Sequence, residues 1–267
     1  MRTACLLWSI AGCGFSSPAG LPSTDPGGID AGSGGPGSAT GCDVSDASLR
    51  LCLTFDQTPM KVVDLVNPAT HVLADDSGVT QILRLASGAA QLGPASRIRF
   101  AEHPDFDVAE LTVDMWIAPA ALAPDKHYWM LDNNTQYYAV YDGDGSVRCG
   151  LGGATSISSR AKFMPTTPAT WHHVACTYAG DHELRVYVDG DLSGCTMGGS
   201  AIPETGTDGV AIGANFGTGG FKENFVGGLD GVHLYAKALT SDEICHAAHR
   251  SGCSSQCQDQ GGGDHHR

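Results

Sequence analysis

The sequence predicts an all-β chain of antiparallel strands with one short C-terminal helix, and three observations carry that expectation. First, 36 Gly and 13 Pro in 267 residues cut the chain into short segments, a composition that suits a sandwich or barrel. Second, WHHVACTYAGDHELRVYVDGDLSG (171–194) reads as a three-stranded meander. Asp189-Gly190 is its hairpin signal, because glycine accepts the positive φ of a primed turn, and 179–182 is the looser turn before it. Third, LTSDEICHAAHR (239–250) is the one stretch with strong helix signals: Thr240 or Ser241 caps it, and Glu243 stands where a capping box places it. A single all-β domain fits this length, since sandwiches run to roughly 250 residues as one unit.

Taken in order, strands are expected at 48–55, 96–100, 111–117, 127–131, 136–141 and 146–151, then in the meander, then at 209–213 and 228–235. Alternation in the meander puts Val174, Cys176 and Tyr178 on one face of their strand and His173, Ala175 and Thr177 on the other. Leu184, Val186 and Val188 likewise share a face, opposite Arg185 and Tyr187. One face packs and the other is open to a partner.

The ends of the chain read differently. Ile10-Ala11-Gly12-Cys13 follows a short apolar run and resembles the lipobox of bacterial lipoprotein signal peptides, so 1–12 is expected to be a signal peptide and Cys13 the lipidated residue. Residues 13–41 are rich in Gly, Ser and Pro, a flexible tether. The folded domain is expected over 42–250, and 251–267 as a polar, disordered tail. This organisation implies an extracytoplasmic protein held at a bacterial membrane, the outer membrane or cell surface, by its lipid alone. No apolar run is long enough to span a bilayer.

The net charge of -14, from 29 acidic against 15 basic residues, comes without any basic stripe, which excludes a phosphate-backbone footprint and with it nucleic-acid binding. Of ten cysteines, Cys5 leaves with the signal and Cys13 goes to lipid; the remaining eight, even in number outside the cytoplasm, are expected in disulfides, with zinc as the competing use. Cys149 and Cys176, taken to lie on neighbouring strands, are the favoured pair, and Cys195 competes for Cys176.

LTVDMWIAP (111–119), WHHVACTYAGDHELRVYVDG (171–190) and FVGGLDGVHLYAKALTSDEI (225–244) resemble, in order, three signatures of the laminin-G-like domains of the concanavalin A-like lectin/glucanase superfamily. The resemblance implies a jelly-roll β-sandwich of two antiparallel sheets. It departs at Gly231, where that pattern has Glu.

Chemistry is then sought on this frame. A retaining glycosidase needs two carboxylates about 5 Å apart. The E-x-D-x-x-E string of laminarinase-like relatives is missing, as are the Gly-x-Ser-x-Gly elbow and His-Glu-x-x-His, so the chain is read as non-catalytic. Asp142 opens an EF-hand-like string that fails at its twelfth position, Gly153. The strand neighbours implied by the resemblance bring Asp56 and Asp230 to one sheet end, as a structural calcium site or as two solvated turn aspartates. Trp129, Tyr137, Tyr138 and Tyr141 cluster around the loop 132–135. Because alternation separates Tyr138 from the other two tyrosines, the groove assigned to a ligand is Tyr137 and Tyr141, rimmed by Asn133 and Asn134. The function expected is a non-catalytic, surface-anchored module for a carbohydrate or protein ligand; the alternatives are an adhesion spacer or a glycoside hydrolase relative.

Overall fold

The computed structural model describes residues 41–257, apart from 121–122, 135, 153–156, 163–169, 181, 203–207 and 218–219. The expected signal peptide 1–12, the lipidation site Cys13 and all of the tether 13–41 but its last residue lie outside the described residues, as do 258–267.

In chain order the strands are β1 (Leu49–Leu53), β2 (Leu73–Asp75), β3 (Thr80–Arg84), β4 (Ser87–Leu92), β5 (Ile98–Phe100), β6 (Leu111–Pro119), β7 (His127–Asn133), β8 (Tyr137–Asp142), β9 (Ser146–Leu151), β10 (Ile157–Lys162), β11 (His172–Tyr178), β12 (Glu183–Val188), β13 (Asp191–Met197), β14 (Val210–Ile212), β15 (Asn215–Gly217), β16 (Gly220–Lys222) and β17 (Gly227–Tyr235). A 3-10 turn, Pro104–Phe106, follows β5, and the one α-helix, α1 (Ser241–Ala247), follows β17. Eight strands form one antiparallel sheet in the order β13-β12-β11-β6-β17-β4-β3, with β1 also pairing β17; seven form the other in the order β10-β9-β8-β7-β14-β5-β2. The two faces pack as a jelly-roll sandwich, and β15 and β16 make a separate hairpin.

Alternation decides what fills the space between the sheets. Val174, Cys176 and Tyr178 of β11 and Leu184, Val186 and Val188 of β12 all point into the main core. On the outer side of the eight-stranded sheet, Ala175, Tyr187 and Leu192 are covered by Leu239 and Ile244 as α1 packs down. Thr240 caps α1 and forms the capping box with Glu243.

β17 carries a bulge between Asp230 and His233. Gly231 sits there with φ +52, in the left-handed region that a glutamate would occupy only at a steric cost.

All eight cysteines from residue 42 onward are joined: Cys42–Cys52, Cys149–Cys176, Cys195–Cys257 and Cys245–Cys253. Two expectations are corrected by these links. Cys149 and Cys176 are paired, but β9 and β11 belong to opposite sheets, so the bond crosses the core instead of joining ladder neighbours. Their Cα atoms are 5.8 Å apart, so the sheets close in here, well inside the usual spacing of about 10 Å. The segment after Ser251 is not a loose tail as far as residue 257. Cys253 and Cys257 staple it, Ser254 donates its N–H to Asp191 Oδ1 at 2.7 Å, and Leu192 N–H donates back to the Ser254 carbonyl at 2.8 Å.

Candidate functional site

Within β8 the alternation runs opposite to the assignment made from sequence. Tyr137 and Tyr141, the expected groove pair, lie in the main core at 1% and 4% exposure. The Tyr137 hydroxyl donates to the Phe106 carbonyl at 2.9 Å, which satisfies the polar end of a fully buried ring. Asn133 is buried with it, donating from Nδ2 to Gln136 Oε1 at 2.5 Å and to the same Phe106 carbonyl at 3.2 Å. Tyr137 and Asn133 anchor the 3-10 turn, Tyr141 packs against Phe225 with ring centroids 6.4 Å apart, and none of the three can line a groove. Asn134 is partly exposed and donates to Asp208 Oδ2 at 2.5 Å.

Tyr138 is the outward residue of the pair. Its register partner on β9 is Gly150, and a Cβ there would collide with the phenol ring, so the ring lies flat over bare backbone. On β7 the half-buried Trp129 packs against it with ring centroids 5.0 Å apart. The Arg148 guanidinium lies 6.0 Å from the centre of the Tyr138 ring. A wall stands beside this platform. Trp129 Nε1 donates to Glu223 Oε2 at 3.0 Å, Asn215 Nδ2 donates to the same oxygen at 3.1 Å, and Phe216 of the β15–β16 hairpin stacks under Arg99 at 4.0 Å. The result is an aromatic floor with carboxylates, amides and guanidinium groups at its edge.

Asp132 sits beneath that wall. Its Oδ2 accepts the Phe216 backbone N–H at 3.0 Å, while burial, reinforced by the nearby Asp208 charge, pushes its carboxyl up to about 6. The folded form therefore holds its proton more tightly than the unfolded chain, whose aspartates ionise near 3.9. Asp132 accordingly contributes stability that is fully present below about pH 4 and is lost as pH rises through about 6. Asp132→Asn should flatten the dependence of melting temperature on pH in that window; an unaltered profile would refute the assignment.

Asp56 and Asp230 come close enough for the Asp56 charge to act on the Asp230 carboxyl, although Asp230 lies inside β17 opposite Trp116 and not at the start of the strand. Arg84 Nε is 2.7 Å from Asp230 Oδ2, so a guanidinium already supplies the positive charge. Asp56 accepts the Gly88 backbone N–H at 2.8 Å. One of the two carboxylates is thus already paired with a cation, which weakens the pull the pair could exert on calcium. Arg84 also stacks on the framework Trp116, with its guanidinium 4.6 Å from the ring centroid.

Sequence reasoning gathered Trp129 and Tyr138 into the right neighbourhood but missed Arg148, Asp208, Phe216 and Glu223. Arg148 is two residues from a glycine that alternation places opposite Tyr138, a signal readable once β8 and β9 are paired. The others arrive from distant loops with no local signal.

Residues 92–245 match the Laminin_G_3 family, described as concanavalin A-like lectin/glucanases superfamily. Among solved structures, the binding domain of Paraclostridial Mosquitocidal Protein 1 superposes with a TM-score of 0.62 at 15% identity, over 75% of this chain and 52% of that one. The botulinum neurotoxin type G receptor-binding domain gives 0.59 at 11% identity, over 76% and 51%. Domain 4 of AbnA, a GH43 extracellular arabinanase of Geobacillus stearothermophilus solved with arabinotriose, gives 0.59 at 18% identity, over 75% and 98%. The chain thus spans about half the length of the two toxin domains and nearly all of the arabinanase domain. No curated protein sequence matches it.

Proposed function

Because the chain belongs to the concanavalin A-like lectin/glucanases superfamily through its Laminin_G_3 region, we propose that it is a non-catalytic module that binds a carbohydrate on the outward face of its seven-stranded sheet. The observation that carries this reading is the Trp129–Tyr138 platform, 5.0 Å between centroids, bordered by Arg148 and by the polar groups of Asn134 and Asp208. Sugars offer just such a mixture: C–H faces that lie on aromatic rings, and hydroxyls that bond amides and carboxylates. Asp142 is the one outward carboxylate of β8 and β9, and it is neutralised by Arg148 and Arg160, each 3.1 Å away.

A glycan array that includes arabino-oligosaccharides tests the proposal, with Trp129→Ala and Tyr138→Ala as the deciding variants. Each should fold and should weaken binding about 30-fold or more, the loss typical of a central aromatic anchor. A blank array, full affinity in both variants, or turnover of a bound polysaccharide would each overturn it. Four disulfides favour an oxidising, extracytoplasmic setting, consistent with a lipid anchor at Cys13, and intact mass of the mature protein tests that anchor.

A further inference from the structure

Away from the proposed sugar face, two loops converge on a polar cluster that neither the core nor the platform uses. His71, just before β2, is fully buried with its ring against Phe106 at a centroid distance of 4.6 Å. Its Nδ1 lies 2.5 Å from Asp64 Oδ2, and Asp64 also accepts backbone N–H groups from Cys52 at 2.9 Å, Val66 at 3.0 Å and Asn67 at 3.3 Å. Three backbone N–H groups thus converge on that carboxylate, an acceptor that a ring N–H on His71 Nδ1 complements. The proton of His71 therefore sits on Nδ1, and Nε2 points the other way, toward Asp105 Oδ2 at 3.1 Å. His103 closes the group from the turn's N-cap: its Nδ1 is 3.6 Å from the same Asp105 oxygen and accepts the Asp105 backbone N–H at 3.2 Å.

We propose that His71, His103 and Asp105 form a binding site for a divalent first-row transition-metal ion of the zinc class, with Asp64 as the outer carboxylate that fixes His71. The donor set is two imidazoles and one carboxylate, the kind zinc takes when it keeps a fourth position for water. Ligands about 2.0–2.1 Å from zinc in a tetrahedron stand about 3.4 Å apart. The 3.1 and 3.6 Å separations bracket that edge, and all three ligand atoms lie within 4.8 Å of one another. Asp64 completes the pattern, since a metal-bound histidine generally donates its other ring N–H to a carboxylate that orients it. An ion there replaces the weak N–H contact at His103 Nδ1. The opening is on the correct side: His103 and Asp105 are 29% and 31% exposed, whereas Asp64 and His71 are sealed at 0%. A bound ion would tie the loop before β2 to the turn after β5. Among the described residues the other grouping of such donors, Cys42, Cys52 and His233, has both sulfurs in a disulfide and offers no thiolate.

Without a metal function, the same contacts of His71 with Asp64 and Asp105 would be hydrogen bonds that only tie two loops together, and the experiment separates the two. The full chain is titrated with Co²⁺ as a spectroscopic probe and with Zn²⁺ by calorimetry. The expected result is one ion per chain, a visible tetrahedral cobalt band, and a melting temperature raised by Zn²⁺. His103→Gln, at a half-exposed position that leaves the core intact, should weaken binding about tenfold or more and abolish the band. A His265→Ala, His266→Ala double variant of the terminal residues should retain both. No saturable binding at micromolar ion, or binding that survives His103→Gln and disappears with His265 and His266, overturns the proposal.

Discussion

Tyr137→Ala should destabilise the protein by about 3–5 kcal/mol, the cost of truncating a fully buried large aromatic, whereas Tyr138→Ala one residue later should cost about 1 kcal/mol or less. Adjacent positions on one strand face opposite ways, so a single step along β8 moves from a ring at 1% exposure in the core to one lying on the open platform. Tyr137→Phe isolates the hydroxyl: the ring stays packed, and the Phe106 carbonyl keeps the Asn133 donor at 3.2 Å, so the loss should be about 1 kcal/mol. Urea denaturation of the three variants measures this. Equal losses for Tyr137→Ala and Tyr138→Ala would mean that the register of β8 is misassigned.

Removing the cross-core disulfide should be comparably severe. Cys149 and Cys176 enclose a separation of 27 residues, for which the chain-entropy relation gives about 3.5 kcal/mol, against about 2.5 kcal/mol for the 8-residue separation of Cys245–Cys253. Both sulfurs of the first pair are buried between the sheets, so alanine rather than serine is the appropriate replacement, because serine would add unpaired hydroxyls. The Cys149→Ala, Cys176→Ala double variant should therefore unfold at lower denaturant than Cys245→Ala, Cys253→Ala. The reverse order would argue that the inter-sheet link contributes little.

Much of this fold is legible in the sequence because alternation is strong where strands are half-buried. Leu111, Val113, Met115 and Ile117 of β6 and the three apolar residues on each of β11 and β12 announce their inward face directly. The same reasoning failed over 56–95, where β2, β3 and β4 went unread. β3 is an edge strand with mostly exposed residues, and β4 is SGAAQL, whose Gly88 is demanded by close approach to the Phe55 backbone and whose glycine and alanines carry little strand propensity. The site shows a sharper version of this limit. Alternation separated Tyr137 from Tyr138 correctly, yet it could not say which face met the opposite sheet, because both faces of β8 are apolar or aromatic at most positions. The metal cluster was beyond reach for another reason: His71 and Asp105 are 34 residues apart and join only through tertiary packing.

The Cys42–Cys52 link has a mechanical consequence. A force applied to the chain upstream of residue 42 does not act first on the ten-residue separation between the two cysteines; it passes through the disulfide directly into Cys52, the fourth of the five residues of β1, which is laddered to β17. Ten residues of extended chain, about 33–36 Å of contour length, are thereby withheld from any stretching experiment until the bond is reduced. Under load, β1 is therefore expected to be pulled against its β17 ladder from Cys52 rather than peeled from Leu49.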